Sequence, residues 1–203
     1  MKELNDTYKT ITKPSKEVLF KDKNSKFYGY AFPVSDEETI KLHLEDLKKK
    51  HYNAGHWCYA YQLGTETIAY RANDDGEPNN SAGMPIYGQI QSFDVTNVLI
   101  VVVRYFGGVK LGVGGLINAY KTTAQMALEA SKIKTKTINV HFNITFDYKN
   151  MNKVMRIIKE KQLNMVSQTL ELDCLIEISV RKGNASSIFK IFEGLHEINI
   201  EEL

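Results

Sequence analysis

The sequence predicts an α+β protein of two domains, and three observations lead to that prediction. Residues Val98–Val103 form an unbroken and largely β-branched apolar run, which is typical of a strand buried on both faces of a sheet. A glycine-rich turn follows this strand, and the stretch Leu116–Ala130 then has the composition and apolar spacing of a helix. Beyond a polar, basic stretch at Ser131–Thr137, the pattern changes to that of a second compact unit.

Size and composition indicate an ordinary globular protein. The chain has 203 residues, of which 43% are hydrophobic and 25% charged, so it can bury a proper core. A formal charge of +2 argues against a strongly basic nucleic-acid-binding surface, although a local basic patch is compatible with it. No apolar run is long enough to span a bilayer, and the polar start Met1–Asp6 is unlike a secretory signal. We therefore expect a cytoplasmic protein with no membrane partner, and we expect its two distant cysteines, Cys58 and Cys174, to be buried thiols.

The region before the buried strand has recognisable patterns for strands and helices. Ser35 and Glu38 match a capping box, with serine at the N-cap and glutamate at N3 of a helix that ends near Lys50. The predicted elements are strands at Thr7–Ile11, Glu17–Phe20 and Ser25–Val34, a hairpin of Trp57–Leu63 with Thr67–Arg71, and a helix at Met84–Phe93.

The C-terminal region has the element order of a ferredoxin-like domain. Apolar residues alternate strictly from Ile138 to Phe146, which predicts a strand with one buried face. A helix from Met151, a hairpin of Val166–Leu172 with Cys174–Arg181, a helix capped by Asn184 and a strand at Ile198–Ile200 follow. The order β-α-β-β-α-β predicts a ferredoxin-like fold. Nothing in this region resembles a catalytic constellation. With Ser131–Thr137 as the linker, the predicted domain limits are 1–131 and 138–203.

The glycine-rich segment Arg104–Gly115 is the first candidate site. It contains five glycines between Gly107 and Gly115, and glycine permits positive φ and close approach of a ligand or another backbone. The start of a helix beside such glycines presents unpaired N–H groups that can bind an anion. Alternatively, the glycines only let the helix pack tightly on the sheet. The spacing matches neither known phosphate-loop motif, so neither of those mechanisms applies.

The acidic loop Asn73–Gly83 is the second candidate. Its carboxylates Asp74, Asp75 and Glu77 suit a divalent cation or acid–base chemistry, but its turn-forming residues favour aspartates bonded to backbone N–H groups. Ser81 lacks the G-x-S-x-G motif of a nucleophile elbow. His56 is a candidate base or an ordinary half-buried histidine, and pairing of Arg104 with a carboxylate of the loop is as plausible as a shared ligand site. We predict no metal and no cofactor.

Three ordered motifs, with flanking residues, carry a resemblance to a known family. The motifs are Arg71–Pro78, Ser81–Pro85 and Val103–Gly112, with Gly114–Leu116, Ala119–Tyr120, His56 and Cys58–Tyr61 around them. By these motifs the sequence resembles the YigZ/IMPACT family, and its length and C-terminal pattern are similar to those of bacterial YigZ members. The sequence departs from the family pattern at Asn79–Asn80, Met84 and Asn118, and the last two positions lose a positive charge near the glycine turn.

The resemblance implies a fold and a function. It implies an N-terminal domain similar to ribosomal protein S5 domain 2 and a C-terminal ferredoxin-like domain similar to a domain of elongation factor G. Eukaryotic members regulate translation by competing for the activator of a starvation-sensing kinase, but they use an additional RWD domain that this sequence lacks, so that partner is not carried over. For bacterial members, the implied function is association with nucleic acid or the ribosome.

We therefore predict a non-enzymatic, translation-associated regulatory protein that binds RNA or the ribosome, with a protein of the translation machinery as a further candidate partner. Arg104, Lys110 and the turn N–H groups would contact phosphate, and Tyr105 or Phe106 would stack on a base or sugar. The predicted ligand-binding residues are Arg104, Tyr105, Phe106, Gly107, Gly108, Lys110, Gly114, Gly115, Asp74, Asp75, Glu77, Ser81 and His56, and none is predicted to be catalytic.

Two alternatives remain open at this point. One is an enzyme that acts on a small phosphorylated or nucleotide-like ligand in a cleft between Asp74–Gly83 and Arg104–Gly115. The other is a protein-binding regulator whose signature residues only hold the fold. We expect the acidic loop and the glycine turn to lie on the same side of the N-terminal sheet, because a shared ligand site requires the two segments to meet.

Overall fold

The computed structural model of the protein describes residues 6–171 and 173–203. It divides into two compact units, one formed by Tyr8–Lys136 and the other by Thr137–Leu203 together with Asp6 and Thr7. Within the described residues, no helix is both long and apolar enough to cross a membrane.

The N-terminal region is built on a five-stranded sheet with the strand order β2-β3-β6-β4-β5, in which all neighbours are antiparallel. Strands β1 and β7 form a separate two-stranded sheet. The elements are β1 (Thr7–Ile11), β2 (Val18–Asp22), β3 (Ser25–Pro33), α1 (Glu37–Lys50), β4 (His56–Leu63), β5 (Ala69–Asn73), α2 (Gly83–Ser92), β6 (Val98–Tyr105), α3 (Gly112–Glu129) and β7 (Ile133–Thr137).

The central strand β6 is buried on both faces, as its apolar run predicted. Ile100 and Val102 belong to the hydrophobic cluster that includes residues of α2 and α3. Leu99 and Val101 belong to a second cluster, which includes Ile40 of α1. Antiparallel sheets commonly expose one face to solvent, but helices cover both faces of this one, so β6 shows no alternation of polar and apolar residues.

Two helix starts differ from those expected. Helix α1 is capped by Asp36 rather than Ser35: the Asp36 Oδ1 atom accepts the Thr39 N–H at 2.7 Å, and the Ser35 hydroxyl donates to Asp36 Oδ2 at 2.8 Å. A carboxylate suits this position because it also interacts favourably with the helix dipole. Helix α3 begins at Gly112, so Gly114 and Gly115 lie inside its first turn rather than before the helix.

The stretch interpreted as a linker, Ser131–Thr137, contains strand β7. The Thr12 N–H donates to the Lys132 carbonyl at 3.3 Å beside the β1–β7 pairing. All of β7 except Ile133 is exposed, so the strand lacks the apolar alternation by which the sequence would have revealed it. The domain limits 1–131 and 138–203 stay a prediction.

The C-terminal unit has a four-stranded antiparallel sheet in the order β11-β8-β10-β9. Its elements are β8 (Asn139–Asp147), a 3₁₀ turn (Tyr148–Asn150), α4 (Met151–Glu160), β9 (Asn164–Leu170), β10 (Asp173–Arg181), α5 (Lys182–Glu193) and β11 (Ile198–Glu202). This order is that of a ferredoxin-like domain, which confirms the prediction. Helix α5 starts at Lys182, so Asn184 lies in its first turn and is not its cap, and Leu172 of the predicted hairpin lies outside the described residues.

Candidate functional site

A cleft of about 400 Å³ lies at the end of β6, between the acidic loop and the start of α3. The acidic loop and the glycine turn thus line the same cavity, on the same side of the sheet. The lining residues are His56, Glu77, Pro78, Arg104, Phe106, Lys110, Leu111, Gly112, Val113 and Leu116.

Glu77 forms a buried ion pair in the wall of this cleft. Its side chain is 4% exposed, and its Oε1 atom lies 2.6 Å from Nη1 of Arg104, whose side chain is 7% exposed. The Tyr120 hydroxyl donates to the same oxygen at 2.7 Å. Burial raises the pKa of Tyr120, and nearby Cys58 and Glu77 raise it further, so this hydroxyl remains a donor. The sequence left open whether Arg104 pairs with a carboxylate of the acidic loop or contributes to a shared ligand site. In the structure, it pairs with Glu77.

Arg104 also packs against two aromatic rings. Its guanidinium carbon lies 5.5 Å from the ring centroid of Phe27 and 5.5 Å from that of Phe106, within the range of cation–π contacts. Its Nε atom is buried without a hydrogen-bond partner among the described residues. Because Glu77 neutralises this guanidinium in a buried position, Arg104 does not present the solvent-facing charge that phosphate contact would require.

The two aspartates of the acidic loop bind backbone rather than facing the cleft. Asp74 Oδ1 accepts the N–H groups of Ala82 and Gly83 at 2.9 and 2.8 Å, which satisfies donors at the start of α2. Asp75 Oδ2 accepts the Trp57 N–H at 2.7 Å. These bonds correspond to the structural alternative, in which both carboxylates fix the course of the loop.

Ser81 has a similar structural place, because its buried hydroxyl donates to the Pro78 carbonyl at 2.6 Å. Cys58 is buried nearby with its Sγ atom 3.0 Å from the Asp74 carbonyl, and burial raises the pKa of its thiol. Across residues 6–171 and 173–203, no group of three or more histidine, cysteine, aspartate or glutamate side chains is arranged to hold a metal ion.

Of the predicted residues, His56 is the one whose side chain can still form a hydrogen bond with a ligand in the cleft. Its Nδ1 atom lies 2.8 Å from the Asp75 carbonyl oxygen, which can only accept, so Nδ1 carries the proton. In the neutral ring, Nε2 is therefore an acceptor, 3.9 Å from Oε1 of Glu77. The half-buried ring lines the cleft and offers it a hydrogen-bond acceptor.

The glycines serve different purposes. A Cβ on Gly107 would lie 2.1 Å from the carbonyl carbon of Asn24, so only glycine allows the backbones to approach this closely. Gly112 has φ +73° at the start of α3, a conformation that other residues seldom adopt. Gly108 is exposed in the loop, and Gly114 in the first turn of α3 is exposed as well.

Tyr105 and Phe106 are adjacent in sequence but lie in different surroundings. The Tyr105 hydroxyl lies 3.0 Å from Nδ1 of His51, among residues packed on the α1 face of the sheet. Successive residues of a strand point to opposite faces, which separates Tyr105 from Arg104 and from the cleft. Tyr105 therefore does not line the cleft, whereas Phe106 does and is 56% exposed.

Lys110 is the exposed cation of the cleft, and within the described parts of the chain it has no salt-bridge partner. The sequence interpretation missed Tyr120 and the apolar wall formed by Leu111, Val113 and Leu116. Tyr120 lies about two turns after the start of the helix, and this position gives no sequence signal for a bond to Glu77.

Comparisons with known proteins identify relatives of this chain. Residues 23–128 match the family model of the Impact N-terminal domain. A protein of Bacillus subtilis called IMPACT family member YvyE is 28% identical over 97% of this chain and 92% of its own length. An IMPACT family member of Haemophilus influenzae is 32% identical over 76% of this chain and 77% of its own length.

A crystal structure described as that of a hypothetical protein has the same fold. It aligns with a TM-score of 0.73 over 98% of both chains at 22% sequence identity. The family model covers more than half of the chain, and the match includes the loop, the strand and the helix that form the cleft. The chain therefore belongs to the YigZ/IMPACT family.

Proposed function

We propose that this protein is a translation-associated regulatory protein that binds single-stranded RNA at the rim of the cleft. The observation that carries the proposal is the position of an exposed aromatic ring, Phe106, and an exposed cation, Lys110, beside the first turn of α3. The translation context rests on the family to which the chain belongs, and the RNA contact rests on this geometry.

Phe106 supplies a stacking platform. Its ring is 56% exposed, while the buried guanidinium of Arg104 lies 5.5 Å from the ring centroid. This contact restricts the orientation of the ring before any ligand arrives, which lowers the entropy lost on stacking. Every base has a π-face, so stacking on one aromatic ring tolerates many sequences.

Lys110 and the start of α3 suit a phosphate group. Helix α3 extends from Gly112 to Glu129, and no side chain of the described residues caps its first N–H groups. Those groups carry the positive end of the helix dipole, and Lys110 adds a full charge at the same cleft. Arg104 contributes indirectly: it neutralises Glu77, which would otherwise repel an anion from this wall.

The dimensions of the cleft favour an unpaired strand. A cavity of about 400 Å³ has room for one nucleotide unit, with an apolar wall of Leu111, Val113 and Leu116 beside it. A base held in a duplex cannot enter such a cleft, whereas the bases of single-stranded RNA can be splayed out and stacked. The His56 Nε2 atom adds one acceptor that can meet a base edge or a ribose hydroxyl.

A second function, catalysis on a small phosphorylated ligand, is favoured by one observation. His56 presents a bare nitrogen 3.9 Å from the buried carboxylate of Glu77, in the same cleft as Lys110. A histidine so placed can accept a proton from a bound ligand. Turnover of a phosphorylated compound that disappears in a His56→Gln variant would support this function over simple binding.

The test is a titration of a fluorescently labelled single-stranded RNA and of the matching duplex, at several salt concentrations. We expect the single strand to bind more tightly, and we expect Lys110→Ala to reduce the salt slope by about one counterion. Lys41→Ala, which removes an exposed lysine of α1, is the matched control. Absence of RNA binding, or equal effects of the two lysine variants, would contradict the proposal.

A further inference from the structure

Strand β9 (Asn164–Leu170) forms one edge of the C-terminal sheet. The strand order β11-β8-β10-β9 gives it a single neighbour, β10, with which it pairs in antiparallel register. The N–H and C=O groups on the outer side of an edge strand are unpaired and can accept a further strand.

This edge lacks the charged residues and prolines that often protect such strands. All seven residues of β9 are exposed, and none of them is charged or a proline. Proteins commonly place lysine, proline or inward-pointing charges on exposed edges to prevent pairing with other chains. Instead, β9 exposes three apolar side chains, namely Met165, Val166 and Leu170.

The opposite edge of the same sheet is different. Strand β11 ends in Glu201 and Glu202, which are both exposed. Pairing of β11 with a copy of itself would bring these carboxylates close to their equivalents, and like charges on paired strands are destabilising. The two edges thus differ in charge, which opposes self-pairing at β11 and does not oppose it at β9.

One irregularity limits the usable part of β9. The register with β10 shifts between Glu177 and Ile178, which leaves Val166 outside the paired positions. From Ser167 to Leu170 the pairing is regular, with Ser167 opposite Glu177 and Leu170 opposite Cys174. This regular part is the segment to which a new strand can be added.

We propose that β9 is a self-association edge, and that its partner is a second copy of this chain. Two copies related by a two-fold axis pair their β9 strands antiparallel, so that two four-stranded sheets become one continuous sheet. The antiparallel arrangement brings the uncharged strand against itself without electrostatic repulsion. The pairing also removes part of the surface of Leu170 from water.

The experiment measures molar mass by light scattering over a wide range of protein concentration. We expect the mass to rise from 23.1 kDa at low concentration towards twice that value. We also expect backbone amides of residues 164–170 to gain protection from hydrogen exchange as concentration increases.

Matched lysine substitutions locate the interface. Leu170→Lys adds a charge to the regular part of the edge, and we expect it to raise the dissociation constant of the dimer at least about tenfold. Ile68→Lys is the control, because Ile68 is similarly exposed, at 45% against 46% for Leu170, and lies outside the C-terminal sheet. Thr169→Lys repeats the test at a second regularly paired position if Leu170→Lys does not fold.

Each outcome decides the question. A mass that stays at 23.1 kDa at every concentration would overturn the proposal and leave β9 open to a different partner. A dimer that survives both edge variants, without added protection at residues 164–170, would show that the copies meet elsewhere.

Discussion

Two buried polar clusters lie at the end of β6, one on each face of the N-terminal sheet, and they differ in charge and in access. Adjacent residues of the strand enter them, Arg104 on one face and Tyr105 on the other. The Glu77 cluster consists of Glu77, Arg104 and Tyr120, and the His51 cluster consists of His51, Tyr30 and Tyr105.

The His51 cluster is a chain of hydrogen bonds in which each group has a partner. Tyr30 donates to Glu17, so its oxygen accepts the Nε2–H of His51 at 2.7 Å. Nδ1 of His51 then accepts the hydroxyl of Tyr105 at 3.0 Å. Burial lowers the pKa of His51, and the charge of Lys50 acts in the same direction, so the neutral ring that this chain needs is favoured.

The Glu77 cluster has two opposite charges and lies in the wall of a cleft. Its guanidinium retains a buried Nε atom for which the described residues provide no partner, whereas the polar atoms of the His51 cluster are satisfied. Two neighbouring positions of one strand, Arg104 and Tyr105, thus serve different purposes. The neutral cluster fastens α1 to the sheet, and the charged cluster supports a surface that can bind a ligand.

Removal of Arg104 should have the largest effect on stability. Arg104→Ala leaves the carboxylate of Glu77 buried without its counter-charge, and we expect a loss of about 3–5 kcal/mol in the free energy of unfolding. Chemical denaturation measures this loss. The double variant Arg104→Met with Glu77→Gln removes both charges and retains an acceptor for Tyr120, so it should recover much of the stability. A single variant as stable as the wild type would show that the ion pair is not a structural requirement.

Matched tyrosine substitutions compare the two clusters directly. Tyr120→Phe withdraws a donor from a buried carboxylate, so we expect about 1–3 kcal/mol of destabilisation. Tyr105→Phe withdraws a donor from a neutral imidazole at a partly buried site, where about 0.5–1.5 kcal/mol is typical. Denaturation of both variants under the same conditions tests the order, and a larger loss for Tyr105→Phe would reverse our ranking of the clusters.

The His51 cluster should add a pH dependence to stability. The folded-state pKa of His51 is lowered from its usual value of 6.5, so below that pH the unfolded chain binds more protons than the folded one. The free energy of unfolding should therefore fall as the pH drops below 6.5, and it should be independent of this group at higher pH. The groups that face His51 are Glu17, Tyr28, Tyr30, Lys50 and Tyr105.

The measurement is denaturation from about pH 5 to pH 8 for the wild type and for His51→Gln. The variant isolates His51 from the four other histidines, so the difference between the two curves reports this residue alone. Parallel curves across this range would mean that His51 does not titrate differently in the folded and unfolded states.

Lys110 should have the smallest effect on stability. Because Lys110 is exposed and lacks a described salt-bridge partner, we expect Lys110→Ala to change the free energy of unfolding by less than about 0.5 kcal/mol. The melting temperature, measured beside that of Arg104→Ala, checks this expectation. A clear destabilisation would assign Lys110 to the structural part of the molecule.

The sequence predicted the parts of the fold that depend on periodicity. The apolar run of β6 and the alternation in β8 follow directly from burial of both faces or of one face, and both predictions are confirmed. The start of α3 was placed too late because glycine has low helix propensity, yet Gly112 begins that helix. Strand β7 was missed because an exposed two-stranded pairing imposes no apolar pattern.

The candidate site was predictable as a pair of segments but not atom by atom. Three carboxylates lie within four residues of the acidic loop, and composition alone does not say which of them meets Arg104. The loop conformation turns Asp74 and Asp75 towards backbone N–H groups and leaves Glu77 for the ion pair. The two-residue period of a strand, continued through the end of β6, places Tyr105 and Phe106 on opposite faces. Their separation was therefore predictable from the sequence.

The rim of the cleft, and not another exposed part of the surface, is the site that we propose for single-stranded RNA. Affinity for a labelled single strand should be measured for the wild type, for Phe106→Ala and for Tyr52→Ala, which removes an exposed aromatic side chain outside the cleft. Stacking of one base contributes about 1–3 kcal/mol, so we expect Phe106→Ala to weaken binding by about 5- to 150-fold. We expect Tyr52→Ala to leave the affinity unchanged. Unchanged affinity in a folded Phe106→Ala variant, or an equal loss of affinity in both variants, would contradict RNA binding at the rim of the cleft.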